Sequence, residues 1–366
     1  MDRYPALTID HDKLRSNMKT VVDWCAQAGI DVAGVIKVSC GLATTALDYE
    51  AAGAKWIASS RIEHLRRAKE IGVKLPMLMI RVPMISELDE IIEVCDYSLQ
   101  SELKTLEAIN EKAIAAGKVH NVILMADTGD LREGFIDYDE MTDVAVKVEN
   151  ELKGLHLAGI GTNLGCTGSV IPTGEKMELL ASIAEKIEKA IGRELEIVSG
   201  GASSSLLPLF DGVMPKKINM LRIGELSYVG NMGDLKNAYD RNEVDDMYGD
   251  AVTLQAEIIE CKTKPSHPIG ELGVNAFGER PVYIDKGDRR RALCAIGRAD
   301  FGDTGDIIPM LEGASVEAAS GDHTIVDIEE CKTKLDVGDI MTFKLKYSAI
   351  LRLTGSENVK IREINK

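Results

Sequence analysis

A lysine at the end of an apolar run is the first residue whose type and place suggest chemistry. The stretch AGVIKVSCG, residues 33–41, places Lys37 at the end of an apolar run that is predicted to be a strand, just before a polar turn at 39–41. One interpretation is a strand-edge lysine that reaches solvent, as most lysines do. The other is a desolvated lysine with a lowered pKa, which suits Schiff-base chemistry on a carbonyl group. The rest of the chain has to decide between them.

Other polar residues follow predicted strands further along. They are Asp127-Thr128-Gly129 with Arg132, then Thr162-Asn163, the loop Ser199-Gly200-Gly201-Ala202-Ser203-Ser204-Ser205, and Arg222-Ile223-Gly224-Glu225. The Gly/Ser loop opens onto an apolar run, which is typical of a phosphate cradle at a helix N-terminus, although a flexible turn has the same composition. A reactive lysine and a phosphate cradle together indicate a phosphorylated cofactor that forms a Schiff base, pyridoxal phosphate (PLP).

Eight short strand-like runs are expected to position these residues. They lie at 32–38, 56–60, 76–82, 96–101, 119–127, 155–163, 195–200 and 218–224. Segments 102–117 and 174–191 have helical spacing of apolar residues, and an earlier helix near 10–28 has Asp10 as its cap. The count predicts an α/β fold of the (β/α)8 TIM-barrel type, with working residues at the C-terminal strand ends. An open doubly wound sheet fits the same alternation with fewer strands.

The alternation stops after about residue 232. An acidic, polar segment at 237–250 is followed by strand-like runs at 252–261, 280–287, 290–298, 323–330 and 339–353. We therefore predict two domains, a PLP-binding barrel over residues 1–232 and a mostly β C-terminal domain over residues 233–366.

Composition limits the possible partners. The chain has 366 residues and a formal charge of −16, which argues against nucleic acid as a partner. Its seven cysteines are scattered singly, so neither a disulfide framework nor a metal site is predicted, and a reducing compartment is expected. Neither a signal sequence nor a membrane-spanning run is apparent, which favours a cytoplasmic protein with no membrane partner.

Three motifs resemble those of the alanine racemase family of barrel-type PLP enzymes. The strand-one pattern V-x-K matches Val35-Ile36-Lys37, and the eight-residue pattern D-T-G-x-x-R-x-G matches 127–134. The pattern R-x-G-x after strand eight matches 222–225, and the loop 199–205 takes the family's phosphate-loop position. The chain is most similar to the branch of that family that racemises ornithine.

The resemblance implies a role for each matched residue. Lys37 would carry PLP and then act as a base on one face of the substrate, and Arg222 would face the pyridine nitrogen. Arg132 would contact the substrate carboxylate or the ring oxygen of PLP. Asn163 stands where the family has a histidine beside the ring. The remaining residues expected to bind the cofactor are Ser199, Gly200, Gly201, Ala202, Gly224 and Glu225.

The resemblance leaves the second base open, because the family's S-Y-G tyrosine has no counterpart. The corresponding stretch, 268–278, has Glu271 or Leu272 at that place. Segment 319–327 aligns with the family's substrate-carboxylate loop and offers Asp322 for substrate binding and His323 as the second acid/base. His267 and Glu271 are the rivals to His323. As in the family, the partner subunit of a homodimer would bring this loop to the barrel.

The substrate implied by the resemblance is ornithine. Its distal ammonium group needs an acidic partner, for which Glu225, Asp322 and Glu271 are candidates.

Two other functions remain as alternatives. One is a non-catalytic PLP-binding homeostasis protein built on the same barrel, but such proteins lack the additional β domain. The other is a barrel-type PLP lyase or aldolase, which predicts a metal site in the second domain; His323 and Asp327 alone are a thin signal for one. An aldolase that forms a Schiff base without PLP would leave the phosphate cradle without a cofactor.

Overall fold

The computed structural model describes residues 3–366, which form two compact units. One unit, the barrel unit, contains residues 15–247. The other, the β unit, contains residues 3–14 and 248–366. Among the described residues no helix is long and apolar enough to cross a bilayer.

The barrel unit is built on a closed ring of eight parallel strands, which confirms the predicted barrel. Strand β1 (Ala6–Asp10) precedes the ring and belongs to the β unit. The ring strands follow in chain order as β2 (Asp31–Val35), β3 (Trp56–Ser59), β4 (Met77–Met79), β5 (Tyr97–Gln100), β6 (His120–Met125), β7 (Leu155–Gly161), β8 (Ile197–Ser199) and β9 (Met220–Ile223). Each pairs with its sequence neighbours, and β9 closes the ring on β2.

Helices connect the strands. They are α1 (His11–Gln27), α2 (Ala43–Ala52), α3 (Ile62–Glu70), α4 (Leu88–Val94), α5 (Leu103–Ala115), α6 (Tyr138–Asn150), α7 (Gly174–Ile191), α8 (Leu206–Phe210), α9 (Glu225–Val229) and α10 (Asp234–Asn237). Short 3-10 turns lie at Ile36–Ser39, Ile85–Glu87, Ser203–Ser205, Gly230–Met232 and Asn242–Val244. The predicted cap of α1 is confirmed, because Asp10 Oδ1 accepts hydrogen bonds from the backbone amides of Asp12 and Lys13.

The β unit is a mostly antiparallel sheet, as predicted. Its strands after β1 are β10 (Val252–Pro265), β11 (Asp288–Cys294), β12 (Ile307–Pro309), β13 (Ser315–Ala319), β14 (Thr324–Asp327), β15 (Ile340–Leu345) and β16 (Lys360–Ile364). The main path runs β12-β15-β10-β11-β14-β13, and β1 pairs with both β10 and β16. Its helices are α11 (Arg298–Phe301) and α12 (Tyr347–Leu353), with a 3-10 turn at Thr304–Asp306.

The boundary between the units differs from the predicted one at 232/233. Residues 233–247 stay with the barrel unit because Leu235, Val244 and Met247 pack in one apolar cluster with Leu226. At the other end, β1 leaves the predicted barrel domain because its edges bond to β10 and β16. Residues 1 and 2 of the predicted first domain lie outside the described residues.

Two strand predictions in the β unit are wrong. Segment 280–287 forms no strand, and its alternating apolar residues bury no face: Val282 and Ile284 are 92% and 73% exposed. In 339–353, the strand ends at Leu345 and the rest becomes α12. Strands β1, β12, β13 and β16 have no counterpart among the predicted strand-like runs.

The interior of the barrel explains why its C-terminal end is the open place for chemistry. Every ring strand sends small or apolar side chains inward, and together they fill the centre: Ala33, Val35, Ala58, Leu78, Leu99, Ile123, Met125, Ala158, Ile197 and Met220. A barrel packed in this way is a solid core rather than a pore, so polar groups gather where the strands end.

Candidate active site

Lys37 lies in a tight turn rather than at the end of a strand. Strand β2 stops at Val35, and the 3-10 turn Ile36–Ser39 follows. Cys40 closes the turn in the left-handed conformation, with φ of +50°, and its amide donates to the carbonyl of Lys37. Ser39 Oγ bonds to Thr45 Oγ1 and Tyr228 Oη, both at 3.0 Å, so the backbone beneath Lys37 is anchored in the core.

The surroundings of Lys37 favour its neutral amine. Burial is the largest influence and lowers its pKa, and the guanidinium groups of Arg132 and Arg222 lower it further. Cys166 and Glu133 act in the opposite direction. Residues 3–366 offer the Lys37 ammonium no ion-pair partner. The structure therefore favours the desolvated interpretation over the solvent-exposed one.

The loop after β6 presents Arg132 at the same end of the barrel. Asp127 Oδ1 folds this loop by accepting the backbone amides of Gly129 and Leu131 at 2.8 and 3.2 Å. Gly134 has φ of +130°, and a Cβ there would stand 2.5 Å from the Asp127 amide nitrogen, so this turn requires glycine. Asp127 and Gly134 thus shape the loop that carries Arg132.

Arg222 is a buried cation on β9. It is 4% exposed, and it donates to Ser199 Oγ at 2.6 Å and to the Thr162 carbonyl at 2.9 Å. Burial lowers its pKa to about 10, which still leaves it charged at neutral pH. These contacts tie together the ends of β7, β8 and β9 and hold the guanidinium in one orientation.

The Gly/Ser loop after β8 forms a turn that suits phosphate. Gly201 has φ of +117°, and a Cβ there would lie 2.6 Å from Ser205 Oγ, so the loop requires glycine at this position. The turn Ser203–Ser205 continues directly into α8, and its first amides have no partner within the helix. On the next strand, Gly224 precedes α9, so a second set of N-terminal amides follows Arg222.

Two polar atoms near these loops are buried without a partner. They are Asn163 Nδ2, just after β7, and Asp130 Oδ2, in the loop that carries Arg132. An orphaned buried donor is costly, and a bound group that accepts its hydrogen bond removes the cost. The donor at Asn163, the buried Arg222, the accessible amine of Lys37 and the two glycine turns together fit an anionic, phosphorylated carbonyl compound such as PLP.

The predicted second base and its rivals belong to the β unit. Asp322 and His323 are both exposed, on the turn between β13 and β14, where the His323 carbonyl accepts the Ser320 amide at 2.8 Å. Glu271 is also exposed, in the irregular segment before β11. His267 lies in the same segment, with its Nδ1 2.8 Å from the Pro268 carbonyl and its ring beside Tyr283. Within residues 3–366, the side chains of Asp322, His323 and Glu271 form no hydrogen bond or ion pair.

Glu225 is at the predicted place, at the start of α9, and its carboxyl lies beside Gly233. A Cβ on Gly233 would stand 2.6 Å from Glu225 Oε1, so the carboxyl lies against the 233–234 turn. Burial, followed by the charge of Asp234, raises the pKa of Glu225 to about 7. Its backbone amide, at the start of α9, remains suited to phosphate.

The sequence did not single out Glu133 and Cys166, which the structure brings to Lys37 and Arg132. Glu133 follows Arg132 in the chain, and both of its oxygens accept hydrogen bonds from that guanidinium. Cys166 Sγ accepts one from Arg132 Nη1 at 2.9 Å. The acidic residue within D-T-G-x-x-R-x-G was the available signal for Glu133. No local sequence pattern indicated Cys166, which lies in the loop after β7 and contacts Arg132. In residues 3–366 no three His, Cys, Asp or Glu side chains are grouped to hold a metal ion.

Comparisons with known proteins agree with this geometry. The chain matches the family model "Alanine racemase, N-terminal domain" over residues 9–232. It is 38% identical over 357 residues to the ornithine racemase of Acetoanaerobium sticklandii, covering 98% of this chain and 99% of that protein. It is 36% identical over 357 residues to the lysine racemase of Thermotoga maritima, covering 98% of each.

Solved structures share the fold. The alanine racemase of Streptomyces lavendulae superposes with a TM-score of 0.77 at 18% identity, covering 100% of this chain and 98% of that one. The D-threonine aldolase of Filomicrobium marinum superposes with a TM-score of 0.73 at 17% identity, covering 96% of this chain and 89% of that one. One architecture thus serves a racemase and an aldolase, so the fold alone does not identify the reaction.

Proposed function

This chain belongs to the alanine racemase family, and from that premise we propose that it interconverts L- and D-ornithine with PLP bound at the mouth of its barrel. It is an amino-acid racemase, as are its two relatives over nearly the whole chain. Both of those relatives are named for amino acids with a second, distal ammonium group. Ornithine is the substrate of the relative with 38% identity, and this supports it over lysine.

The observation that carries the proposal is the grouping of Lys37, Arg132 and Arg222. A desolvated amine without an ion-pair partner lies in the field of two guanidinium groups, one of which is buried. This is an arrangement for a carbonyl compound that also carries negative charge. The alternative of a surface lysine does not explain why the chain would place two guanidinium groups beside one desolvated amine.

The chain's own residues suffice to hold PLP. Lys37 would take its carbonyl carbon, Arg222 would lie beside its ring nitrogen, and the amides that follow Gly201 and Gly224 would hold its phosphate. Asn163 Nδ2 would donate to it from the end of β7. When bound, PLP withdraws electrons from the attached amino acid and so acidifies its Cα–H.

Lys37 Nζ then takes or returns the Cα proton on one face. Its lowered pKa increases the fraction of neutral amine near physiological pH, which is the form that accepts a proton. Arg222 supports this role differently: as a charged guanidinium it disfavours protonation of the ring nitrogen and so limits side reactions. Arg132 binds the substrate carboxylate or the ring oxygen.

The opposite face needs a second acid/base, and we assign it to His323, with Asp322 as a substrate-binding neighbour. Imidazole can take and return a proton near neutral pH. Both side chains are exposed on their turn, so they are available to a second protomer. We infer a homodimer in which this turn serves the partner's barrel; His267 and Glu271 remain the rivals. The seven cysteines are all unpaired, which supports a reducing compartment such as the cytoplasm.

A chiral assay tests the function. Purified protein is incubated with a panel of L-amino acids that includes ornithine, lysine, alanine and threonine, and the D-enantiomers are separated by chiral chromatography. We expect D-ornithine to form fastest and to reach an equal mixture from either enantiomer. Release of an aldehyde from threonine without racemisation would instead identify a lyase, and no product from any substrate would favour a PLP carrier.

A further inference from the structure

Glu133 is an acidic group near Lys37, and both of its carboxylate oxygens contact the Arg132 guanidinium. Arg132 donates from Nε to Glu133 Oε2 and from Nη2 to Oε1, so the two planar groups meet in a fork. The Glu133 side chain is only 17% exposed, whereas that of Arg132 is 34% exposed. A fork of this kind fixes the plane of a guanidinium as well as its position.

The third nitrogen of Arg132 is also engaged. Nη1 donates to Cys166 Sγ at 2.9 Å, from a loop that follows a different strand. That loop is itself held against the 127–134 loop, since the Cys166 amide lies 3.4 Å from Asp130 Oδ1. Glu133 therefore supplies two of the three contacts that orient Arg132, and Cys166 supplies the last.

Glu133 also balances charge. The groups that act electrostatically on Lys37 are Cys166, Arg132, Arg222 and Glu133, and the same carboxylate acts on buried Arg222. The three cations are Lys37, Arg132 and Arg222. Among the groups that act electrostatically on Lys37, Glu133 is the carboxylate that these cations share. Without it, each cation would disfavour the others at close range.

From these contacts we propose that Glu133 is a positioning residue: its carboxylate holds the Arg132 guanidinium in one orientation and supplies the negative charge that offsets the cations at the barrel mouth. The proposal rests on the proposed function, since it treats Arg132 as the group that binds cofactor or substrate. A loosely held arginine can still bind a carboxylate, but it places the reacting atoms poorly, and small misplacements cost rate rather than affinity.

The first test needs neither substrate nor bound cofactor. The full-length chain is freed of cofactor with hydroxylamine and acetylated with a trace of acetic anhydride over a range of pH, and modification of Lys37 is followed by peptide mass spectrometry. Glu133→Gln removes a charge that favours the Lys37 ammonium, so we expect about threefold to tenfold faster acetylation near pH 8. Glu133→Asp keeps the charge and should label like the wild type.

A matched control comes from the surface of the same unit. Glu93 accepts a similar fork from Arg66, at 3.1 and 3.3 Å, between α3 and α4. Glu93→Gln should leave Lys37 acetylation unchanged. Equal Lys37 reactivity in the wild type, Glu133→Gln and Glu93→Gln would overturn the charge-balancing part of the proposal, whether or not the protein proves to be a racemase.

The second test separates positioning from a purely structural role. With L-ornithine, Glu133→Gln should lower kcat about tenfold to a hundredfold, while KM changes less than about threefold. Rates are expressed per bound PLP, so that misfolded protein does not count. Glu133→Asp should recover part of kcat. A Glu133→Gln enzyme with wild-type kcat per bound PLP and only a lower melting temperature would contradict the positioning role.

Discussion

The barrel mouth and the exposed turns of the β unit both carry ionisable side chains, but those side chains differ in how they are held. At the mouth, Arg222 is buried between two acceptors and Lys37 is anchored through Ser39 to the core. In the β unit, the side chains of Asp322 and His323 are exposed, although the backbone of their hairpin turn is hydrogen-bonded to residues 298 and 299. The side chains at the barrel mouth are thus held by neighbours in their own unit, whereas those of Asp322 and His323 are exposed.

This difference predicts two kinds of mutational effect. Changes at the barrel mouth should affect cofactor attachment, substrate binding or the folded state itself. Changes on the turns of the β unit should leave the fold and the cofactor in place and alter proton transfer or substrate binding.

The largest effect should come from Lys37→Ala. Because Lys37 both attaches PLP and moves the proton on one face, we expect racemisation to fall by at least about 10³-fold in both directions. The measurement is chiral chromatography with D- and L-ornithine. Lys74→Ala changes an exposed lysine of the same unit and should be unaffected. Substantial racemisation by Lys37→Ala would place the essential base elsewhere.

His323→Ala should give the next largest effect, of about 10² or more, in the proton transfer on one face only. In D₂O, the variant should lose isotope incorporation from one enantiomer more than from the other, with PLP still bound and the melting temperature unchanged. His267→Ala and Glu271→Gln are the matched variants. If His323→Ala racemises normally in both directions, the second base is to be sought at those two positions, and the assignment fails.

Arg132→Ala should weaken substrate binding, with KM rising about tenfold and kcat falling, because a charge-assisted contact to a carboxylate is lost. The Arg132 side chain is a third exposed, so the fold should survive, as circular dichroism can verify. This outcome differs from that of Glu133→Gln, in which kcat alone falls. Unchanged kinetics in Arg132→Ala would remove this residue from the site.

The smallest expected effect is a pH-dependent change in stability. It compares a carboxyl group of the barrel unit, Glu225, with one of the β unit, Glu271. The folded-state pKa of Glu225, about 7, lies above its ordinary value of 4.5, so the folded chain binds more protons than the unfolded chain between those values. Its contribution to stability is therefore full below about pH 4.5 and is lost as pH rises through 7. Glu225→Gln should raise the melting temperature relative to wild type by a few degrees more at about pH 8 than at about pH 5.

Exposed Glu271 provides the comparison for that experiment, because Glu271→Gln should give the same difference from wild type at both pH values. If Glu225→Gln behaves in the same way as Glu271→Gln, the carboxyl group of Glu225 is solvated rather than buried.

The sequence predicted the barrel well because its signals are local. Each ring strand is a short apolar run followed by helical spacing, and all eight were located. A turn was predicted only from Ser39 onward, because residues 36–38 have the composition of a strand, whereas the 3-10 turn begins at Ile36. What makes them a 3-10 turn is the side-chain network of Ser39, Thr45 and Tyr228, which joins residues up to 189 positions apart.

The site was predictable where a sequence motif contains the residues that fix its own backbone conformation. Asp127 and Gly134 shape the loop that carries Arg132, and both lie within eight residues. Cys166 reaches Arg132 only because the loops after β6 and β7 are neighbours in the folded ring. For His323 the fold fixes the backbone of the turn but leaves the side chain exposed, so neither local spacing nor the fold of one unit determines its role.

The most direct test of the central claim, that Lys37 carries PLP at the barrel mouth, is chemical. The holoenzyme is reduced with borohydride, digested and mapped by mass spectrometry, with Lys37→Ala as the control. The account predicts a single pyridoxyl group on the peptide that contains Lys37, and none on the variant. A pyridoxyl group on any other lysine of the wild-type protein would contradict the assignment of the site and the mechanism that depends on it.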